Sequence, residues 1–388
     1  IAYNLLARPH NLPAVAQAHE WMCGAALLCL KKRVPEIGTV FTTHATILGR
    51  SMAGSGVDIY TDMERISPKR EASTHNITAK YSMETVSARE ADCFTTVSEI
   101  TAVEAKNFLG RAPDVITTNG LDMEHIPDLA QDRAPALRAR EKLLAAASRF
   151  LRKNISPTTK IMVISGRYEF HNKGIDVFLN ALGRLEREAT ANEPVLALLL
   201  VLGGHTDLIP LLQNDPMKPD QGNAPIATHR LHYEASDPIL QTCNRLGLNN
   251  AVQNRINVIF IPAYLNGHDG LLDMTYYEAL SGCDLAVFPS YYEPWGYTPL
   301  ESAAYAVPTV TTDQAGFGLW VQNRFGENKG VMLLKRRGQP ASVIEDHLYA
   351  IFRDFLTWTD PERDERRKEA RKVAAQSNWR DFFKLYLK

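Results

Sequence analysis

Apolar residues in this chain come in short bursts rich in Val, Ile, Leu, Phe and Thr, and between the bursts they recur at helical spacing. TVFTT (39–43), DCFTTV (92–97), DVITT (114–118), KIMVIS (160–165), VLALLLVL (195–202), NVIFI (257–261), DLAVFPS (284–290) and PTVTT (308–312) are runs of strand length, which predicts buried strands. AKYSMETVSAREA (79–91), SEITAVEAKNFL (98–109) and IDVFLNALGRLEREA (175–189) carry the helical period. Strands alternating with helices predict parallel sheets joined by helical crossovers, a doubly wound α/β architecture. The alternation lapses over residues 122–157, where a polar stretch precedes the helical EKLLAAASRFLRK, and a new strand begins at Lys160. This divides the chain into a first α/β domain (1–150), a second (151–359) and a charged C-terminal segment (360–388). The apolar end of that segment, NWRDFFKLYL, spaces Trp379, Phe382, Phe383 and Leu385 for one helical face that packs back on the first domain. Ligands of such architectures bind between domains and at the carboxyl ends of parallel strands.

Composition acts mainly by exclusion. In 388 residues, 43 Lys and Arg stand against 44 Asp and Glu, so the chain has no overall bias toward nucleic acid or an anionic membrane. No apolar run approaches the ~20 residues that span a bilayer. Cys23, Cys29, Cys93, Cys243 and Cys283 are scattered without a C-x-x-C, which predicts thiols packed as small apolar groups in a reducing compartment. The chain opens at Ile1 rather than Met, with the polar, loop-like IAYNLLARPHNLPAV, so its start decides nothing about targeting; the cytoplasm is the default expectation.

Three stretches carry candidate chemistry. In YYEPWGYTPLESAAYAVPTV (291–310) the preceding strand ends at Ser290, which puts Glu293 at the carboxyl end of a parallel sheet. Thr298, Pro299 and Glu301 have the spacing of an N-cap, a first-turn proline and an N3 glutamate, predicting a capping box and a helix through ESAAYA. Unpaired amides at Gly296, Tyr297 and Thr298 then form an anion site suited to a diphosphate. Eight residues of helix would separate Glu293 from Glu301 by ~12 Å. That exceeds the spacing of a glycosidase pair acting across one bond unless a folded turn shortens it; the favoured reading has the two meet different parts of a ligand. A plain capping role explains Glu301 equally well, and Trp295 reads as packing. In ISGRYEFHNKGIDVF (164–178), Arg167 and Lys173 lie between a strand and a helix that begins near Gly174, a placement suited to phosphate oxygens. Surface pairing of one of them with Glu169 is the alternative. In FTTHATILGR (41–50), His44 follows a strand directly, a helix starts at Thr46, and Arg50 lies on it. His19-Glu20 of HEW (19–21) opens a helix and reads as packing or cleft lining. ERDERRKEARKVAAQSNW (362–379) reads as a solvated helix with Glu362–Arg366 and Asp364–Lys368 pairs.

AHEW, TVFTTHATILGR, CFTTVSEITAVEA, TTNGL, GRYEFHNKGIDVFLNAL, SDPIL, YYEPWGYTPLES and AGFG, spread from residue 18 to residue 318, together resemble the glycogen synthases of the fungal and animal type, in a bacterial-like or shortened form. The resemblance implies a retaining glycosyltransferase of the GT-B fold, with two facing Rossmann-like domains and the active site in the interdomain cleft. It implies UDP-glucose as donor, an α-1,4-glucan such as glycogen as acceptor, and no metal or other cofactor; assembly into a homo-oligomer is left open. Glu293 falls where the family meets the donor's glucosyl group, and Glu301 where it meets the ribose. Arg167 and Lys173 fall on the phosphate-binding pair. His44 and Arg50 reach the cleft from the first domain, and Asn119 occupies the NGL turn. The resemblance thus makes Glu293, His44, Arg167 and Lys173 the expected catalytic residues. Arg50, Asn119, Gly296, Tyr297, Thr298 and Glu301 are the expected donor-binding residues.

Two departures accompany the resemblance. The family's first strand and glycine-rich loop have no counterpart ahead of HEW, and residues 362–379 carry fewer arginines than the family's regulatory helix. The rival expectations are another retaining GT-B enzyme (a sucrose, trehalose or ADP-glucose starch-type synthase) and a non-catalytic glucan-binding protein. Because the cations and Glu293 fall in the second domain and His44 in the first, transfer is expected to need closure of the cleft, with UDP held mainly by the second domain.

Overall fold

The computed structural model describes residues 14–61, 63–188, 193–209 and 223–387; most of the polar opening, residues 1–13, lies outside them. Each strand expected above is present. The first sheet is parallel and ordered β1 (Val15–His19), β2 (Gly38–Thr43), β3 (Cys93–Thr96), β4 (Val115–Ile116). The second contains β5 (Lys160–Arg167), β6 (Val195–Leu202), β9 (Ile256–Ile261), β10 (Leu285–Val287), β11 (Thr309–Thr312) and β12 (Val331–Leu334). It is also parallel, in the order β12-β11-β10-β5-β6-β9. A small antiparallel pair, β7 (His205–Leu208) and β8 (His229–Leu231), stands apart.

Continuous apolar runs become strands here because both faces of the second sheet are covered. In β6, Val195, Ala197, Leu199 and Val201 enter one core while Leu196, Leu198 and Leu200 enter the other. The strand β1 is not among the expected runs; its VAQAH is mostly solvent-accessible and presents no apolar run. Strand order reverses between β5 and β10. The chain proceeds from β5 through β6 to β9 on one side and from β10 through β11 to β12 on the other. The loops after β5 and β10 therefore flank a topological switch point, where ligands of open α/β sheets bind.

The C-terminal segment is more than a solvated helix. The helix Asp360–Ala375 buries Arg367, Ala370, Val373 and Ala374 and packs on the helix Tyr297–Ala304 through Leu300, Ala303 and Ala304. The expected Glu362–Arg366 pairing gives way to a capping box, in which Glu362 accepts from Thr359 N and Oγ1 at 2.7 and 2.8 Å. Arg366 instead lies over the Trp358 ring at 3.9 Å, and Asp364 meets Arg367 at 3.0 Å. The chain then crosses back to the first sheet's side: Leu121 N donates to Ser377 O at 2.9 Å and Trp379 N to Leu121 O at 3.0 Å. On the last helix, Trp379–Tyr386, Phe382 is buried against Trp295 and Trp320, whereas Phe383, expected on the same face, is 55% exposed. Over its eight residues the packed stripe has one buried position, Phe382. Of the cysteines, Cys243 and Cys283 are buried, but Cys23 and Cys29 are exposed on the helix Glu20–Arg33. Among the described residues no helix is long and apolar enough to cross a membrane.

Candidate active site

Lys173 and Glu293 form an ion pair across the switch point, joining the loop after β5 to the loop after β10. Only 12% and 15% of their side chains remain exposed. Backbone bonds hold the loops together: Asn172 O accepts from Tyr291 N at 2.8 Å and from Tyr292 N at 3.3 Å. Gly174 makes this approach feasible. It caps the helix Ile175–Arg187 at φ +68°, and a Cβ there would run into the Pro289 carbonyl. Arg167 adopts the surface alternative, pairing with Glu169 at 2.9 Å with 59% of its side chain exposed.

The helix after Glu293 begins earlier than the capping-box spacing predicts. It spans Tyr297–Ala304 with Gly296 as N-cap at φ +112°, and no side chain caps it. Thr298 lies inside the first turn, and its carbonyl accepts from Ser302 Oγ at 2.8 Å. A left-handed glycine turns the chain two residues sooner than a threonine cap would, so Glu301 does not reach back to the helix start. It accepts instead from the Tyr277 hydroxyl at 2.8 Å, and burial raises its carboxyl above the usual range. Tyr277 stacks on Tyr305 with ring centroids 5.0 Å apart. The first amides of the helix, at Tyr297 and Thr298, have no partner within it and carry the positive end of its dipole.

On the first sheet, β1 and β2 end side by side and deliver His19, Glu20 and His44 together. His19 Nδ1 and His44 Nε2 are 2.9 Å apart, and Glu20 Oε1 accepts from His44 N at 2.9 Å and Ala45 N at 3.3 Å. Glu20 holds φ +64°, a left-handed conformation costly for a residue with a Cβ. Burial, then the His19 and Arg50 charges, lowers His44 to about 4, so its imidazole is neutral near pH 7. Burial also lowers His19. Thr46 caps the helix Ile47–Gly54 by accepting from Gly49 N at 3.1 Å, and this helix carries Arg50 with its side chain exposed. Asn119 is 6% exposed, beside Gly120, where a Cβ would lie 2.8 Å from Ser377 O and Trp379 N.

Several groups here do more than their local sequence indicates. His19 and Glu20 hold the His44 turn rather than merely packing, and adjacency to a strand end was the signal available. Tyr277 gave none. Trp295 does pack, as expected, against Phe317 and Phe382. Glu84 and Glu104 lie on helices where a lone acid reads as solvent-facing, yet both are fully buried behind the His44 turn. Burial pushes Glu84 up to about 8 and Glu104 to about 7.

Two parallel α/β units, with cations, a helix N-terminus and a partly buried glutamate at the switch point of the second, have the architecture of the GT-B glycosyltransferases. A solved sucrose-phosphate synthase from Thermosynechococcus elongatus shares it, with a TM-score of 0.56 at 16% identity over 99% of this chain and 75% of that one. The sequence narrows the class further: the chain belongs to the glycogen synthase family, whose model matches residues 6–209 and 215–388. It is 32% identical to the liver glycogen [starch] synthase of Mus musculus over 96% of this chain and 61% of that protein. Isoform 2 of Saccharomyces cerevisiae glycogen [starch] synthase is 30% identical over 96% of this chain and 63% of that protein. The chain thus spans less than two thirds of the length of these curated relatives.

Proposed function

We propose that this protein transfers the glucosyl group of UDP-glucose, with retention, to the 4-hydroxyl at the non-reducing end of an α-1,4-glucan such as glycogen. The observation that carries this is the meeting of Lys173, Glu293 and the N-terminus of the helix Tyr297–Ala304 at the switch point of the second sheet. Membership of the glycogen synthase family supports the choice of donor and acceptor. In the reaction, the bond from the anomeric carbon to the phosphate oxygen breaks and a bond from that carbon to the acceptor oxygen forms. Charge grows on the departing diphosphate; Lys173 and the amides of Tyr297 and Thr298 stabilise it from the switch point, and Arg167 joins them by exchanging its surface pairing with Glu169 for the phosphate. Retention brings the acceptor hydroxyl to the leaving group's own face, so the departing phosphate oxygen is the nearest base for its proton. Glu293 and the neutral His44 orient the sugar and stabilise the oxocarbenium-like centre. Glu301 serves the ribose, Arg50 and Asn119 line the donor from the first domain, and the cytoplasm is the compartment where donor and glucan meet.

Initial rates with UDP-glucose and ADP-glucose, with glycogen as acceptor, test this. UDP-glucose is expected to be the better donor by at least tenfold in kcat/KM, about 1.4 kcal/mol. Preference for ADP-glucose would assign a starch-type synthase. Glucan binding with no transfer from either donor would assign a non-catalytic glucan-binding protein.

A further inference from the structure

Glu104 lies on the helix Glu99–Phe108 of the first unit, with no exposed surface. Its Oε2 accepts from Thr46 Oγ1 at 2.7 Å and from the Tyr292 hydroxyl at 3.1 Å, and its Oε1 accepts from the Tyr60 hydroxyl at 3.1 Å. Thr46 lies two residues after His44 and caps the helix that bears Arg50; Tyr292 immediately precedes Glu293. One carboxyl group therefore grips the first-domain turn and the second-domain loop from which the proposed site is built.

The surroundings are shaped for this contact. Tyr292 belongs by sequence to the loop after β10, yet it is buried with Phe41, Leu48 and Met52 in the core of the first sheet. Its neighbour Tyr291 repeats the crossing, its hydroxyl accepting from Ile59 N at 2.8 Å and donating to Asp58 Oδ1 at 3.0 Å. The Tyr60 ring stacks with that of Tyr292, centroids 6.4 Å apart. A Cβ at Gly49 would collide with Glu104 Oε2, so the helix above leaves room for the carboxyl. A buried carboxyl costs stability unless its oxygens are satisfied, and a satisfied one fixes its partners in a single geometry.

We propose that Glu104 is a positioning residue that latches the two domains in catalytic register, holding Tyr292, and through it Glu293, against the His44–Thr46 turn. This rests on the glucosyl-transfer function above.

Tyr292→Phe keeps the ring in its pocket and removes only the donor; Glu104→Gln keeps the volume and changes the acceptor. Both variants and the double variant are compared with the wild type for transfer from UDP-glucose to glycogen and for deuterium uptake at residues 57–60 and 291–293. In each single variant kcat is expected to fall about tenfold or more while KM for UDP-glucose stays within about threefold, the signature of lost positioning rather than lost binding. Uptake should rise in both segments, and the double variant should be no slower than the slower single one, because both substitutions break one contact. An unchanged kcat, an unchanged uptake, or losses that multiply in the double variant would each overturn the latch. If the wild type transfers no glucose, the proposed function fails, and uptake alone still decides whether Glu104 and Tyr292 hold the domains together.

Discussion

Arg167 pairs with Glu169 while more than half of its side chain is exposed, whereas Lys173 and Glu293 are largely buried together. An exposed ion pair contributes about 0–1 kcal/mol, so Arg167→Ala should leave the melting temperature almost unchanged. If its guanidinium meets the charge that grows on the diphosphate, kcat should fall by about 10²-fold or more. Parallel losses of activity and melting temperature would reduce Arg167 to a structural role. Lys173→Ala is a poorer probe, because it strands Glu293 with little solvent and should cost about 3 kcal/mol or more in stability. His44 makes a different prediction. Burial, His19 and Arg50 all disfavour its charged form, so its proton is expected only as the pH falls toward about 4. The unfolded chain would take up that proton near 6.5, so this group lowers stability as the pH falls below that value. An NMR titration of the imidazole should show no protonation between pH 8 and 5.5; a midpoint near 6.5 would show that the turn is open to water.

Elements succeed or fail by how they are capped and how closely they approach. The T-x-x-E spacing at Thr298–Glu301 pointed to a helix start that Gly296 pre-empts, because a residue at φ +112° turns the chain earlier than any side-chain cap. Conversely Thr46, read as a helix start, is an N-cap whose side chain accepts from Gly49 N. Gly174 and Gly247 separate conformation from close approach. Both have positive φ, +68° and +75°, but a Cβ at Gly247 meets nothing within 4 Å whereas one at Gly174 meets Pro289. Gly247→Ala should therefore cost about 1–2 kcal/mol, the left-handed penalty alone, and leave transfer intact. Gly174→Ala should cost more and also lower transfer, since relieving the clash pushes the Lys173 loop away from the Glu293 loop. Denaturant midpoints and initial rates for the two variants check this; equal effects would mean that the contact with Pro289 positions nothing.

At the scale of the molecule, the groups assigned to phosphate and ribose belong to the unit built on the second sheet, and His44 and Arg50 to the unit built on the first. UDP should therefore bind mainly to the second domain, and His44→Ala should lower transfer far more than UDP affinity. Calorimetry with UDP on both proteins tests the division: a tenfold or larger loss of affinity in the variant, about 1.4 kcal/mol, would show that His44 grips the nucleotide. The two units are joined by more than the connecting helix Ala134–Leu151. Leu121 bonds to Ser377 and Trp379, and Tyr291 and Tyr292 reach into the first unit, so any closing motion has to carry these contacts with it.

Local pattern settled what depends on neighbours in the chain. The strands expected from apolar runs are present because strand period and burial are written into consecutive residues, and Arg167, Lys173, Glu293 and His44 could be placed at strand ends because the residues before them are strands. The sequence alone also carried the family, since motifs such as YEPWGYTP and GRYEFHNKG survive as contiguous strings. What it left open are the relations between distant segments: that Lys173 spends its charge on Glu293, that Glu301 serves Tyr277 instead of a cap, that His19 abuts His44, and that Glu104 is buried beneath Tyr292. Each of these is decided by a partner found between 24 and 188 residues away, according to which loops the sheets bring together, and burial then sets the charge state of the group it encloses.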